Sequence, residues 1–113
     1  MIEVTIYNFL KSKLDCSVCT ERPEVKPKKY VLLERIGGSE SNFICSATID
    51  IMSYGGSLYE SMELDEKVRK FMSEITALDN VSSCVLNASG NWTNPTTREY
   101  RYHSTFIVKY MED

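Results

Sequence analysis

Residues 30–54 read YVLLERIGGSESNFICSATIDIMSY, and the fold follows from how that stretch is divided. From Phe43 onward Phe43, Cys45, Ala47, Ile49 and Ile51 alternate with Ser46, Thr48 and Asp50. Period-two alternation of apolar and polar residues marks a half-buried strand. The run before it, rich in Tyr, Val, Leu and Ile, ends at Gly37-Gly38, a pair free to take the positive φ of a turn. Ser39-Glu40-Ser41-Asn42 then reads as a polar link, and the whole as a β-hairpin with one apolar face to be covered.

The flanking sequence supplies the cover. Ile2, Ile6, Phe9 and Leu10 recur at helical spacing, with Lys11 and Lys13 where cations suit the C-terminal end of a helix. After Gly55-Gly56, Ser57 and Glu60 form a capping-box pair. Leu64, Val68, Phe71, Met72 and Ile75 then lie on one helical stripe, flanked by Leu58 and Met62. Residues 81–88 read as a third strand and residues 87–97 as a loop holding Gly90, Trp92 and Pro95. In the last strand Tyr100, Tyr102, Ser104, Phe106, Val108 and Tyr110 share one face, leaving His103 on the other as a solvated residue. Residues 15–28, with Pro23 and Pro27, read as a linker or edge segment, because proline supplies no donor to a sheet ladder. The expected fold is α+β, a mostly antiparallel, mixed four-stranded sheet. One long amphipathic helix and a short N-terminal helix pack on one of its faces.

A chain of 113 residues is expected to form a single domain, residues 1–113, with its own core. Its net charge of −3 offers no global basic field for nucleic acid, and the cluster Arg22, Lys26, Lys28, Lys29 reads as a solvated linker. The N-terminus lacks the pattern of a signal peptide. No apolar run approaches the roughly 20 residues of a membrane span. A reducing cytosol is therefore expected, with four free cysteines.

Catalytic signatures are missing from this reading. Cys16-Ser17-Val18-Cys19 has the spacing of half a zinc site or a redox dithiol, but no second such pair exists, and Asp15 and Glu21 oppose thiolate formation. His103 has no nucleophile at an informative spacing, and no glycine-rich phosphate loop precedes a helix. The chain is read as a non-enzyme with no cofactor and no catalytic or metal-ligating residues. Trp92, among small polar residues, either folds over the core or is offered to a partner.

The order of these pieces carries a resemblance. A proline (Pro27), a strand of the form YVLLERIGG (Tyr30 to Gly38), a strand entering an amphipathic helix, a Trp/Pro loop and Arg101-Tyr102 in the last strand occur together. In this the chain, from Pro23 to Tyr110, resembles the tail terminator (tail completion, minor tail) proteins of long-tailed bacteriophages and prophages. It departs from them at Met52-Ser53-Tyr54, where a bulkier residue such as Trp is common, and in its Cys16/Cys19 pair. The resemblance implies a structural virion protein. It would form a ring, typically a hexamer, on the tail tube, stop tube polymerisation and present the surface to which the head docks. The implied partners are further copies of the chain, the tail-tube protein and the head–tail connector proteins. DNA would pass through the ring without specific binding, and no membrane is involved. The implied location is the virion tail, after assembly in the host bacterial cytoplasm. On this reading Glu40, Asn42, Asn91, Trp92 and Arg101 are the candidate interface residues. Two alternatives stay open: a head-side connector or stopper protein, and a small CxxC-containing, metal-stabilised binding module.

Overall fold

The computed structural model describes residues 1–111, as α1 (Ile2–Lys13), β1 (Ser17–Cys19), β2 (Tyr30–Ser41), β3 (Ile44–Tyr54), α2 (Leu58–Ser73), a 3-10 turn (Ile75–Ala77), β4 (Val81–Asn91) and β5 (Arg101–Tyr110). The fold is α+β, built on one mixed sheet in the order β1-β2-β3-β5-β4. β1 runs parallel to β2, and the other pairings are antiparallel. β3 and β4 are therefore parallel, joined through α2, with β5 inserted between them.

The sheet has five strands where the sequence suggested four. The extra one is β1, three residues inside the 15–28 segment, paired from Ser17↔Tyr30 to Cys19↔Leu32. It lies at the edge, ahead of Pro23 and Pro27, where a missing donor costs nothing to the ladder.

Both helices lie on one face. Ile6 and Leu10 of α1 and Leu64, Val68 and Met72 of α2 are fully buried in one cluster with Val31, Ala47, Ile49, Ile51 and Val108 from the strands. The α2 stripe is the one read from the sequence, and it continues into buried Ile75. Leu58 and Met62 do not widen it, since both are exposed. The helix starts as expected: the Ser57 hydroxyl accepts from the Glu60 amide at 3.1 Å. The Glu60 carboxylate reaches back to the Gly56 amide at 2.8 Å.

The hairpin turn is displaced from Gly37-Gly38. Both glycines lie inside β2, and no glycine among the described residues has positive φ. Gly37 follows a bulge after Arg35. Gly38 is required by close approach, because a Cβ there would meet the Ser46 carbonyl oxygen at 2.6 Å and collide with the Arg35 guanidinium. The chain reverses at Asn42-Phe43, between the paired residues Ser41 and Ile44, with φ of 52° and 68°. Two central residues with positive φ make a type I′ turn, which suits the right-handed twist of the flanking strands. Asn tolerates that conformation; a bulky aromatic is an outlier in it.

The 87–97 loop is likewise shorter than expected. β4 continues through Asn91, and the hairpin to β5 is prolonged by Trp92 N–H to Arg101 C=O at 2.9 Å and Asn94 N–H to Glu99 C=O at 3.2 Å. The reversal is completed near Arg98, the third non-glycine residue with positive φ (55°).

Candidate functional site

The body measures 45 × 25 × 24 Å, and its features of interest gather at the two ends of the long sheet. One end is the β2–β3 turn. From Glu34 to Ser41 every residue of β2 is exposed, and beyond Leu32 its outer edge has no strand partner among the described residues. The apolar residues of this arm are not withdrawn from solvent: Ile36 and Ile44 are exposed, and Phe43 at the tip is 86% exposed. Asn42 is in that turn and Glu40 lies two residues before it on β2, and Glu40 has no ion pair among the described residues. A groove of about 780 Å³ borders the start of the open edge, between α1, β1 and β2, with Val4, Tyr7, Val18 and Leu33 in its walls.

The opposite end holds Asn91, Trp92 and Arg101. They lie beside the Tyr30↔Tyr54 and Tyr54↔Arg101 pairings, so the five candidate residues fall into two groups, not one. Asn91 has a local role, its Oδ1 accepting from the Thr93 amide at 2.9 Å in an Asx-turn. Arg101 donates from Nε to the Trp92 carbonyl at 2.6 Å and from a terminal nitrogen to the Tyr54 hydroxyl at 3.4 Å.

Trp92 neither caps the main core nor stands free. It stacks on His103, with ring centroids 3.5 Å apart and planes 13° apart, on the face of the sheet opposite the helices. His103 is accordingly buried, contrary to the solvated position expected of it. Its Nδ1 lies 3.1 Å from Asp50 Oδ1, which also accepts from the Thr105 hydroxyl at 3.2 Å. Alternation correctly assigned His103 to the second face of β5; what hid its burial is that the β4–β5 hairpin end covers that face.

Beside this stack, Tyr30 and Tyr54 lie parallel with centroids 4.3 Å apart, and the Arg22 guanidinium sits 6.0 Å from the Tyr54 ring centre. Burial first, then the neighbouring Tyr54 and Glu99, pushes the Tyr30 phenol up to about 12, and its hydroxyl has no hydrogen-bond partner among the described residues. Glu99 draws the segment after β1 onto this end. Its carboxylate accepts from Arg22 at 2.6 and 2.8 Å and from Lys26 at 3.0 Å, with Arg101 at 3.9 Å. Two cations of the presumed solvated linker are thus engaged across more than 70 residues of sequence.

The Glu99 clasp has a pH signature. Partial burial alone would raise its carboxyl, but the hydrogen bonds and charges of Arg22 and Lys26 outweigh that and hold it below the usual carboxylate range. An acid with a lowered folded-state pKa contributes stability above the unfolded-state value and loses it as pH falls through the folded-state value. Glu99→Gln should therefore flatten part of the acid-side loss of stability. Urea unfolding of both proteins from neutral to acidic pH checks this; parallel curves would contradict it.

The cysteines offer little chemistry here. Burial raises the thiols of Cys16, where Asp15 adds to the effect, and of Cys19, and pushes Cys84 up to about 11. All four cysteines are unpaired. Among the described residues no group of three or more His, Cys, Asp or Glu side chains is placed to hold a metal ion. Among the described residues no helix is long and apolar enough to cross a membrane. No protein-family model matches the chain, and a search of curated proteins finds no match.

Proposed function

We propose that this protein is a structural assembly protein of a long-tailed phage or prophage, forming a ring that caps the tail tube and presents the surface to which the head docks. The observation that carries the assembly role is Phe43. An aromatic residue at φ 68° and 86% exposure costs the isolated chain twice, in backbone strain of about 1 kcal/mol and in apolar surface left in water. An observed backbone outlier at an exposed position is a ground for proposing a contact made there.

Two further features support the reading. The open edge of β2 and the outer edge of β4 lie on opposite sides of one sheet, with Ile36 exposed on the first and Val85 and Leu86 on the second. Exposed apolar groups along two unlike edges suit lateral contacts with further molecules, as an assembly protein needs. The sequence resemblance supplies the biological setting, with tail-tube protein and head–tail connector as partners, DNA passing through the ring, and a structural rather than catalytic role.

The test is mass-resolved sedimentation of the purified protein, alone and with tail-tube protein. The expected result is a monomer or weak oligomer when dilute and a closed ring, a hexamer on the resemblance, when tube protein is added. No ring and no tube contact under any condition would overturn the proposal.

A further inference from the structure

Among the described residues, the non-glycine residues with positive φ mark the two ends of the molecule: Asn42 and Phe43 at one, Arg98 at the other. Tyr30 to Asn42 spans twelve residue steps, about 40 Å of strand, close to the 45 Å long axis. The two ends also carry opposite unsatisfied charge. Glu40, three residues before Phe43, has no ion pair among the described residues; Arg35, whose guanidinium lies against Gly38, is set against Glu3 at 4.0 Å. At the far end a cavity of about 210 Å³ is lined by Lys26, Lys28, Arg98, Tyr30, Tyr54 and Tyr100, together with Glu99.

The charges around that cavity do not cancel. Glu99 is already engaged by Arg22 and Lys26, and Glu60, which accepts from the Gly56 amide and lies close to Lys28, offsets one further charge, so positive charge stays in excess. Lys28 and Arg98 are left without an acidic partner among the described residues. Tyr30 adds a buried hydroxyl with no hydrogen-bond partner among the described residues. The cavity is therefore cationic, walled by aromatic rings and short of an acceptor, whereas the hairpin tip is an exposed aromatic ring with a free carboxylate beside it.

We infer that the hairpin tip of one copy docks in this cavity of the next, Glu40 meeting Lys28 and Arg98 and Phe43 lying against the aromatic wall near Tyr100. The inference rests on the self-assembly reading above and names its interface. Because tip and cavity are different surfaces at opposite ends, the contact is heterologous: it closes into a ring when the rotation between copies allows and otherwise runs on as a filament. Charge complementarity at such a contact fixes register and excludes wrong pairings. Arg98, at positive φ where glycine would be relaxed, is among the residues lining the cavity.

The test is charge exchange, read by sedimentation velocity under conditions where the wild-type protein assembles, with tail-tube protein if it is required. Glu40→Lys sets cation against cations, and Lys28→Glu with Arg98→Glu sets acid against acid; each alone should weaken association at least tenfold. Glu40, Lys28 and Arg98 are all exposed, and circular dichroism should show each variant folded. Mixing the two variants restores both contacts in alternation, so the mixture should associate within a few fold of wild type. If wild-type rings form but either variant assembles as well as wild type, or the mixture stays dissociated, the pairing is wrong while ring formation stands. If the wild-type protein forms no oligomer under any condition, the pairing and the assembly reading fall together.

Discussion

Ile49→Ala should lower the unfolding free energy by about 3–4 kcal/mol. Ile49 lies mid-way along β3, paired with Arg35 on one side and Phe106 on the other, and is fully buried in the cluster beneath the helices. Truncation removes the transfer free energy of three carbons and leaves a cavity. The surroundings, a central strand with neighbours hydrogen-bonded on both sides, cannot easily collapse into it. For a domain whose total stability is on the order of 5–15 kcal/mol, that is a large share. Urea unfolding followed by circular dichroism measures it, and a loss under about 1 kcal/mol would show that the β3–α2 contact is not the centre of the core.

Asp65→Ala should cost about 2–3 kcal/mol, by a different route. Asp65 lies on the buried side of α2, and its carboxylate accepts from the Ser104 hydroxyl of β5 at 2.6 Å and from Arg69 at 3.0 Å. Arg69 is partly exposed and can turn to water, but Ser104 is fully buried and would be left without its acceptor. The penalty is mostly that orphaned hydroxyl, so the paired change Asp65→Leu with Ser104→Ala should recover most of the loss. Failure of the double variant to recover would place the energy elsewhere.

Burial raises the Asp65 carboxyl despite Ser104 and Arg69, which pull the other way. A raised folded-state value means that its contribution to stability is full below the unfolded-state pKa and is lost as pH rises through the folded-state value. Asp65 and Glu99 therefore tilt the pH dependence in opposite directions, and removing either one reveals the other.

Much of the fold was legible because it rests on periodicity. The alternation from Cys45 to Ile51 and the stripe from Leu64 to Ile75 each fill one face of a long element, and burial follows. Features that escaped are those in which two segments far apart in sequence decide the outcome. β1 is three residues long, too short for any period, and exists because Tyr30–Leu32 offers it an edge. The burial of His103 depends on Trp92 lying over it. The clasp of Arg22 and Lys26 on Glu99 joins residues that look like a solvated basic run and a loop acid.

At the hairpin, local chemistry misled. Gly37-Gly38 looks like the turn, yet the glycines serve a bulge and a close backbone approach, and Phe43 takes the position for which glycine is best suited. Asn42 held the available signal, as a residue that accepts positive φ at the first position of a type I′ turn. Of the five candidate site residues, Glu40 and Asn42 belong to one end of the molecule and Asn91, Trp92 and Arg101 to the other. Phe43 and Arg98, which lie between or beside them, were overlooked because strain is a property of the backbone that composition does not display.

The central claim is that Phe43 is held in a strained, exposed turn for the sake of a contact with another molecule. Phe43→Gly tests it most directly, with stability and assembly measured on the same sample. Removing the side chain from a positive-φ position should raise the unfolding free energy by about 1 kcal/mol, while sedimentation should show ring formation lost. A variant that is more stable and still assembles like the wild-type protein would contradict the account.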